Sequence, residues 1–413
     1  MKETNFRDVG LTLKINIKRF IMDVFEKCWQ YTQAKEAMER GIYPYFIALD
    51  ENEGTEVVLE GRRIIMCGSN NYLGLTTHPT LKKVSKEAID RFGTSCTGSR
   101  FLNGTLAIHE QLENELADFV GAEEALIFST GMQTNLGTIS ALVGRDDVVI
   151  LDKEDHASIV DGARLGYGKI ERFRHNDIEH LEKVLQSIPE DKGKLVIVDG
   201  VFSMGGDLAD LPNIIPLVKK YGARIMVDDA HGMGVTGGGR GTAVEFGLEE
   251  DVDLVMSTFS KSFASLGGFI AGKSDVIHYI KHNARALIFS ASIPAANTAA
   301  VLAALEIMRT EPERIARVNQ IGETMREGYR KLGFNIGESV TPIVPVIIGD
   351  DTKTFLTWKR LFEEGVFVNP VISPAVTPGQ QLLRTSYMAT HTDEQMGRVI
   401  EIFGRVGKEF NLI

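Results

Sequence analysis

From about residue 70 to residue 300, short apolar runs alternate with helical patterns, and this alternation restricts the fold more than any other feature. The runs are 125–128, 148–151, 195–198, 225–227, 254–256 and 269–271. They are apolar throughout, as strands buried on both faces are. Helical patterns lie between them, for example over 109–120 and 178–187. Strands and helices taking turns predict an α/β domain with a mostly parallel sheet.

The flanks read differently. Residues 1–69 form an arm. An amphipathic helix is predicted over 11–31, followed by a turn at Tyr43-Pro44-Tyr45. Two short strands then surround Glu60-Gly61-Arg62-Arg63. A helix over 295–309 leads into a C-terminal segment. There 343–348, 366–368 and 382–385 read as strands, and helices are predicted near 353–364 and 393–407. The predicted organisation is an arm (1–69), a large domain (70–305) and a small α+β domain (306–413). A chain of 413 residues is too long for one ordinary core, which agrees with two.

The formal net charge of -11 argues against a nucleic-acid partner, since an acidic chain repels phosphate backbones. Cys28, Cys67 and Cys96 are an odd number with no CxxC spacing, so neither a disulfide framework nor a thiol metal site is expected. A reducing, cytoplasmic compartment follows from that usage. No run of about 18 uncharged apolar residues is present to span a bilayer. The amphipathic N-terminal helix packs on the body or a second subunit. The sharper alternative is peripheral contact with the inner face of a membrane.

Chemistry concentrates at the predicted strand ends, where α/β folds bind ligands. Val227-Asp228-Asp229-Ala230-His231 closes one run with two carboxylates. Asp229 also reads as a helix cap. Asp228 continues the strand, points the other way, and could pair with a protonated ring nitrogen. Ser257-Thr258-Phe259-Ser260-Lys261-Ser262 closes another run. Its hydroxyls suit phosphate oxygens, and its lysine could form an imine with an aldehyde. The plain alternative is a surface lysine on a loop. Ser129-Thr130-Gly131-Met132-Gln133-Thr134-Asn135 opens a helix whose free N–H groups make an anion site, or simply a capped turn. Asp155-His156-Ala157-Ser158 offers a flat imidazole that could stack on a ring. Gly237-Gly238-Gly239-Arg240-Gly241 matches no nucleotide fingerprint and reads as a flexible turn near the site. Together these segments supply the separate needs of one cofactor.

The same segments, with Gly68-Ser69-Asn70-Asn71-Tyr72-Leu73-Gly74, Gly98-Ser99-Arg100-Phe101-Leu102-Asn103-Gly104 and Arg384-Thr385-Ser386-Tyr387-Met388, resemble the α-oxoamine synthases. The resemblance spans about residues 40–405. It implies the pyridoxal-phosphate (PLP) transferase fold of type I and a PLP cofactor. Lys261 then resembles the Schiff-base lysine and later acid/base. Asp228 resembles the partner of the pyridine nitrogen, His231 and Ser203 the groups near the ring hydroxyl, and His156 the ring stacker. Gly131, Met132, Thr258 and Ser260 match phosphate-site positions. Ser290 and Ala291 match positions that reach the phosphate from the other subunit, which implies a homodimer with shared sites. Arg384 matches the arginine that grips the substrate carboxylate, and Asn71 a substrate contact.

Members of this family condense an amino acid with an acyl-CoA, releasing CoA and CO₂. The stretches Lys281-His282-Asn283-Ala284-Arg285, Gly365-Val366-Phe367-Val368-Asn369-Pro370 and Ser373-Pro374-Ala375-Val376 resemble soluble bacterial members that join L-serine to a long-chain acyl-CoA. Members that use alanine or glycine are the alternative within the same chemistry. A silent partner subunit is the alternative outside it, and the presence of Lys261 argues against that. One departure is Ile47 after Tyr45-Phe46, where some relatives carry arginine. Another is the loop Val371-Ile372-Ser373-Pro374, which also lacks one. Both leave Arg384 with more of the carboxylate-binding task.

Overall fold

The computed structural model describes residues 23–413. The predicted helix over 11–31 falls partly outside the described residues. Within them it is not continuous: a short helix at Glu26–Trp29 ends before a second one begins at Gln33–Glu39. The described residues fall into two compact units, one ending at Tyr43 and the other spanning Pro44–Ile413.

The second unit opens with β1 (Glu51–Asn52), β2 (Glu56–Leu59) and β3 (Arg62–Met66). β2 and β3 are antiparallel, with Leu59 opposite Arg62. The two residues between them, Glu60 and Gly61, both have positive φ (49° and 73°). This is the hairpin turn whose twist suits the flanking strands, and glycine takes up the second left-handed position without strain.

The large sheet contains β4 (Glu124–Phe128), β5 (Asp147–Asp152), β6 (Lys169–Phe173), β7 (Gly193–Asp199), β8 (Arg224–Asp228), β9 (Leu254–Thr258) and β10 (Gly268–Gly272). Its spatial order is β4-β10-β9-β8-β7-β5-β6. β10 runs antiparallel to both of its neighbours, and the pairings from β9 to β6 are parallel. Every apolar run predicted as a strand in the large domain is one. The central strands are apolar on both faces because each face is covered. Val149, Leu151 and Ile197 join one core cluster, while Val148, Ile150, Val196 and Val198 join another. Burying each such side chain contributes roughly 1.5–3 kcal/mol.

The edge strand β6, Lys-Ile-Glu-Arg-Phe, is not among the predicted strands. Three of its five residues are charged and only Phe173 is buried. An edge strand that is largely open to solvent has no need of a continuous apolar run. Two helices, Pro79–Phe92 and Pro312–Leu332, are likewise additions to the predicted elements.

The C-terminal part holds β11 (Ile343–Ile347), β12 (Val366–Phe367), β13 (Asn369–Val371) and β14 (Leu382–Ser386). A three-stranded antiparallel sheet forms in the order β11-β14-β13, while β12 pairs in parallel with β3. Helices Asp351–Glu363 and Asp393–Glu409 cover this part. The fold is therefore α/β, with a large mostly parallel sheet and a smaller antiparallel C-terminal sheet covered by helices.

Candidate active site

A cavity of about 470 Å³ lies at the carboxyl ends of the parallel strands. Ten of the residues singled out in the sequence line it: Gly131, Met132, His156, Ser203, Asp228, His231, Thr258, Ser260, Lys261 and Arg384. They come from six separate segments; the strands of the large sheet deliver all but Arg384 to one edge, and Arg384 reaches the cavity from β14 of the small sheet.

At one end of the cavity the helix Gly131–Leu142 begins. Thr130 caps it, its Oγ accepting from the Gln133 N–H at 3.1 Å. The N–H groups of its first turn have no acceptor within the helix, so they offer an anion site. A Cβ on Gly131 would stand 2.7 Å from Thr258 Oγ1, so only glycine allows this close approach to the lysine loop. Thr258 Oγ1 donates to the Gly267 carbonyl and lies 2.9 Å from Ser260 Oγ. Backbone amides and two hydroxyls thus converge on one spot.

At the other end lies Asp228, whose Oδ2 accepts from Asn135 Nδ2 at 2.7 Å and Oδ1 from the Ala230 N–H at 3.1 Å. The same Asn135 amide donates to Ser158 Oγ (2.8 Å), and that hydroxyl lies 2.7 Å from His156 Nδ1. One chain of contacts therefore fixes both the carboxylate and the imidazole. Asp229, buried on the opposite side of the strand end, accepts from the N–H and hydroxyl of Thr242, the first residue of helix Thr242–Glu245. It steadies a helix start and leaves the cavity to Asp228. Burial raises its carboxyl to about 6, the Thr242 bonds opposing the rise.

His231 is buried, and its Nδ1 lies 2.7 Å from the Tyr72 hydroxyl. Burial, then the charges of Lys261 and Arg384, hold its pKa well below the usual imidazole value, so the ring is neutral. Burial also raises Tyr72, so its phenol keeps its proton. The neutral His231 ring carries one N–H and one acceptor nitrogen, and the Tyr72 hydroxyl, which also lies 3.4 Å from Asn70 Oδ1, engages one of the two. His156 is likewise lowered, by burial first and then by Lys261, against Asp228. Lys261 is pushed down to about 8: burial lowers it, Asp228 and Asp199 oppose, and Arg384 adds to the lowering.

Arg384, on β14, is buried. Its Nε donates to the Ser203 carbonyl (2.6 Å), Nη1 to Ser386 Oγ (3.3 Å) and Nη2 to Asn70 Oδ1 (3.0 Å). All its acceptors are neutral, so the guanidinium keeps an uncompensated charge at the cavity wall. That is the requirement for gripping an incoming carboxylate.

Three residues stand apart from the cavity. The Asn71 side chain is spent on its own turn, accepting from Leu75 N and donating to Thr76 Oγ1. Its neighbour Asn70 lines the cavity instead. Ser290 Oγ accepts from Gln133 Nε2 at 2.8 Å, and the Ala291 carbonyl accepts from Ser129 Oγ. Both therefore lie beside the anion-binding helix start without lining the cavity. The Gly-rich loop is also elsewhere: Gly237–Gly239 is a 3₁₀ turn against the helix Pro312–Leu332. It is pinned rather than loose, since Gly237 N donates to Glu245 and Arg240 Nε to the Phe119 carbonyl. Asp199 lines the site and was not picked out from the sequence, whereas Asn135, which also lines it, belongs to the helix-opening stretch and was read there only as part of an anion site. Asp199 carried a signal, because it ends a buried strand as Asp228 does.

The residues fit PLP. Asn135 Oδ1 is buried with no partner beside Asp228, Gly131 leaves a bare cradle under two hydroxyls, and an amine of lowered pKa faces them. Among the described residues no cluster could hold a metal ion, and no helix is long and apolar enough to cross a membrane.

Residues 62–403 match the family model of aminotransferase class I and II. The chain is 49% identical over 389 residues to a serine palmitoyltransferase of Bacteroides ovatus, covering 94% of this chain and 99% of that one. It is 40% identical over 381 residues to an 8-amino-7-oxononanoate synthase of Alkaliphilus metalliredigens, covering 92% and 96%. A solved structure of SPT (serine palmitoyltransferase) with PLP superposes with a TM-score of 0.92 at 36% identity, covering 95% of this chain and all of that one.

Proposed function

Because the chain belongs to the aminotransferase class I and II family, within its α-oxoamine synthase branch, we propose that it is a PLP-dependent acyltransferase. It condenses L-serine with a long-chain acyl-CoA such as palmitoyl-CoA, giving 3-ketodihydrosphingosine, CoA and CO₂. One observation carries the choice of reaction: near-full-length likeness to serine palmitoyltransferases exceeds that to oxononanoate synthases.

PLP, when bound, supplies an electron sink for the charge left at the amino acid's α-carbon. Lys261 would hold its aldehyde. Gly131, Met132, Thr258 and Ser260 would hold its phosphate through N–H and hydroxyl groups. Asp228, fixed by Asn135, would keep a proton on the ring nitrogen. His156 would pack on the ring face, and His231 and the Ser203 segment would bind the ring hydroxyl. Arg384, aimed by Asn70 and the Ser203 carbonyl, grips the serine carboxylate. The Lys261 amine would take the α-proton and later return one. Its pKa of about 8 suits both directions near neutral pH. A homodimer that shares its sites is part of the proposal. The exposed Phe289 and Met132, beside Ser290 and the helix start, are apolar surface of the kind a second subunit covers.

The test is release of free thiol from palmitoyl-CoA with each of L-serine, L-alanine and glycine. Serine-dependent release is expected. Faster release with alanine or glycine overturns the substrate and leaves the family.

A further inference from the structure

Three parallel strands of the large sheet end in aspartate: Asp152 on β5, Asp199 on β7 and Asp228 on β8. Asp155 follows β5 closely, and all four are buried. Asp199 and Asp228 are direct neighbours in the parallel register. The PLP site as proposed employs Asp228 alone. We propose that Asp199 is a positioning residue of the same site: it anchors the backbone of His156 and leaves Asp228 as the single carboxylate charge facing the cofactor ring. This rests on the PLP reading and goes beyond it.

The anchor is direct. Asp199 Oδ2 accepts the N–H of His156, at 3.2 Å, and the Asp199 N–H donates to Asp155 Oδ1 at 3.0 Å. Asp155 Oδ2 in turn accepts the Asp152 N–H at 2.9 Å. Asp199 and Asp155 thus tie the end of β7 to the loop after β5, and that loop carries the ring-facing imidazole. Asp199 also lines the cavity.

The charges facing Asp199 are Asp228 on β8, Asp152 on β5, Asp155 on the following loop, and Lys261 between β9 and β10. Cations are too few for the anions. His175 bridges Asp152 (3.0 Å) and Asp207 (2.9 Å) at the outer end of the row, and Lys261 is the cation at the inner end. Asp155 and Asp199 lie between them with no cationic partner of their own. Burial, then the charge of Asp228, raises Asp199 well above the usual carboxyl range, with Lys261 opposing. Burial, then Asp199 and Asp152, does the same to Asp155. Like charges at this spacing in a low-dielectric interior cannot all ionise, and the middle members keep their protons.

The test uses Asp199→Asn and Asp199→Ala in the full chain. Asn reproduces a neutral acid: it keeps an acceptor for the His156 N–H and never ionises. Ala removes the acceptor. Titrated with PLP, the Asn variant is expected to bind within about threefold of wild type, and the Ala variant about tenfold or more weaker. A second reading needs no cofactor. An acid whose folded pKa is raised costs stability as pH climbs from the unfolded value toward the folded one, and Asn escapes that cost. The cofactor-free Asn variant should therefore melt higher than wild type, with a gap that widens from pH 5 to pH 8. A merely structural hydrogen bond would give no such pH trend. Asn binding as weakly as Ala shows that the charge is needed and overturns the proposal, as does Ala binding like wild type. A wild-type chain that takes up no PLP overturns the cofactor reading together with this one.

Discussion

In the proposed reaction Lys261 would act through an amine that must be neutral to attack an aldehyde, and its environment lowers its pKa to about 8. The rate of PLP uptake by the cofactor-free chain should therefore rise with pH through about 8 and then level off, as followed by stopped-flow absorbance. Lys261→Ala should abolish the visible band that survives gel filtration of the holoenzyme, because no covalent link remains. Arg384 is the other charged anchor. Arg384→Lys keeps the charge but loses the fork that Asn70 and Ser203 aim, so KM for serine should rise by at least about tenfold with a smaller change in kcat. The residues that carry charge or a reactive amine were legible in the sequence, because a lysine, an arginine or paired acids at the end of a buried strand cost desolvation that packing alone does not return. Asn70 was not legible. It stands next to Asn71, and nothing in the dipeptide says which amide closes the turn and which faces the arginine.

At the scale of the element, continuous apolar runs gave away the central strands, and the mostly charged edge strand β6 escaped. The consequence is measurable. Ile197 in β7 is fully buried, and Ile197→Ala should cost roughly 2–5 kcal/mol in unfolding free energy, read by urea denaturation. His175 joins the end of β5 to the turn containing Asp207. Burial would lower its pKa, but the two carboxylates outweigh burial and raise it to about 10. A folded value above the unfolded one gives stability that is complete below about 6.5 and is lost as pH rises through about 10. His175→Asn should thus lower Tm most near pH 6, with the deficit shrinking toward pH 10. No sequence pattern marked this clamp, since Asp152, His175 and Asp207 lie on separate segments and meet only across the sheet.

On the scale of the whole molecule, the proposed cofactor site draws on the large sheet and the proposed carboxylate grip on the small one. Adding PLP at about 100 times its Kd should stabilise the folded chain by about 2.7 kcal/mol, seen as a rise in Tm. Adding serine afterwards should raise Tm again in wild type and much less in Arg384→Ala. The alternation of elements made the large domain legible. The pinned Gly-rich turn was misjudged because its anchors, Glu245 and Phe119, are invisible until the chain is folded.

The antiparallel course of β10 has a consequence for how the protein comes into being. β9 and β10 are neighbours in both sequence and space, so the lysine loop between them can close by itself as soon as it has been synthesised. β4, which leads into the anion-binding helix, leaves the ribosome much earlier, yet it pairs only with β10. An edge of the sheet must therefore wait, unpaired, while the middle of the chain is made. When β10 arrives it zips the oldest strand to the newest and brings the anion-binding helix against the lysine loop in a single event. Arg384 emerges later still. Synthesis itself thus sets an order, in which a nascent chain can complete its cofactor cradle before it can recognise an amino acid.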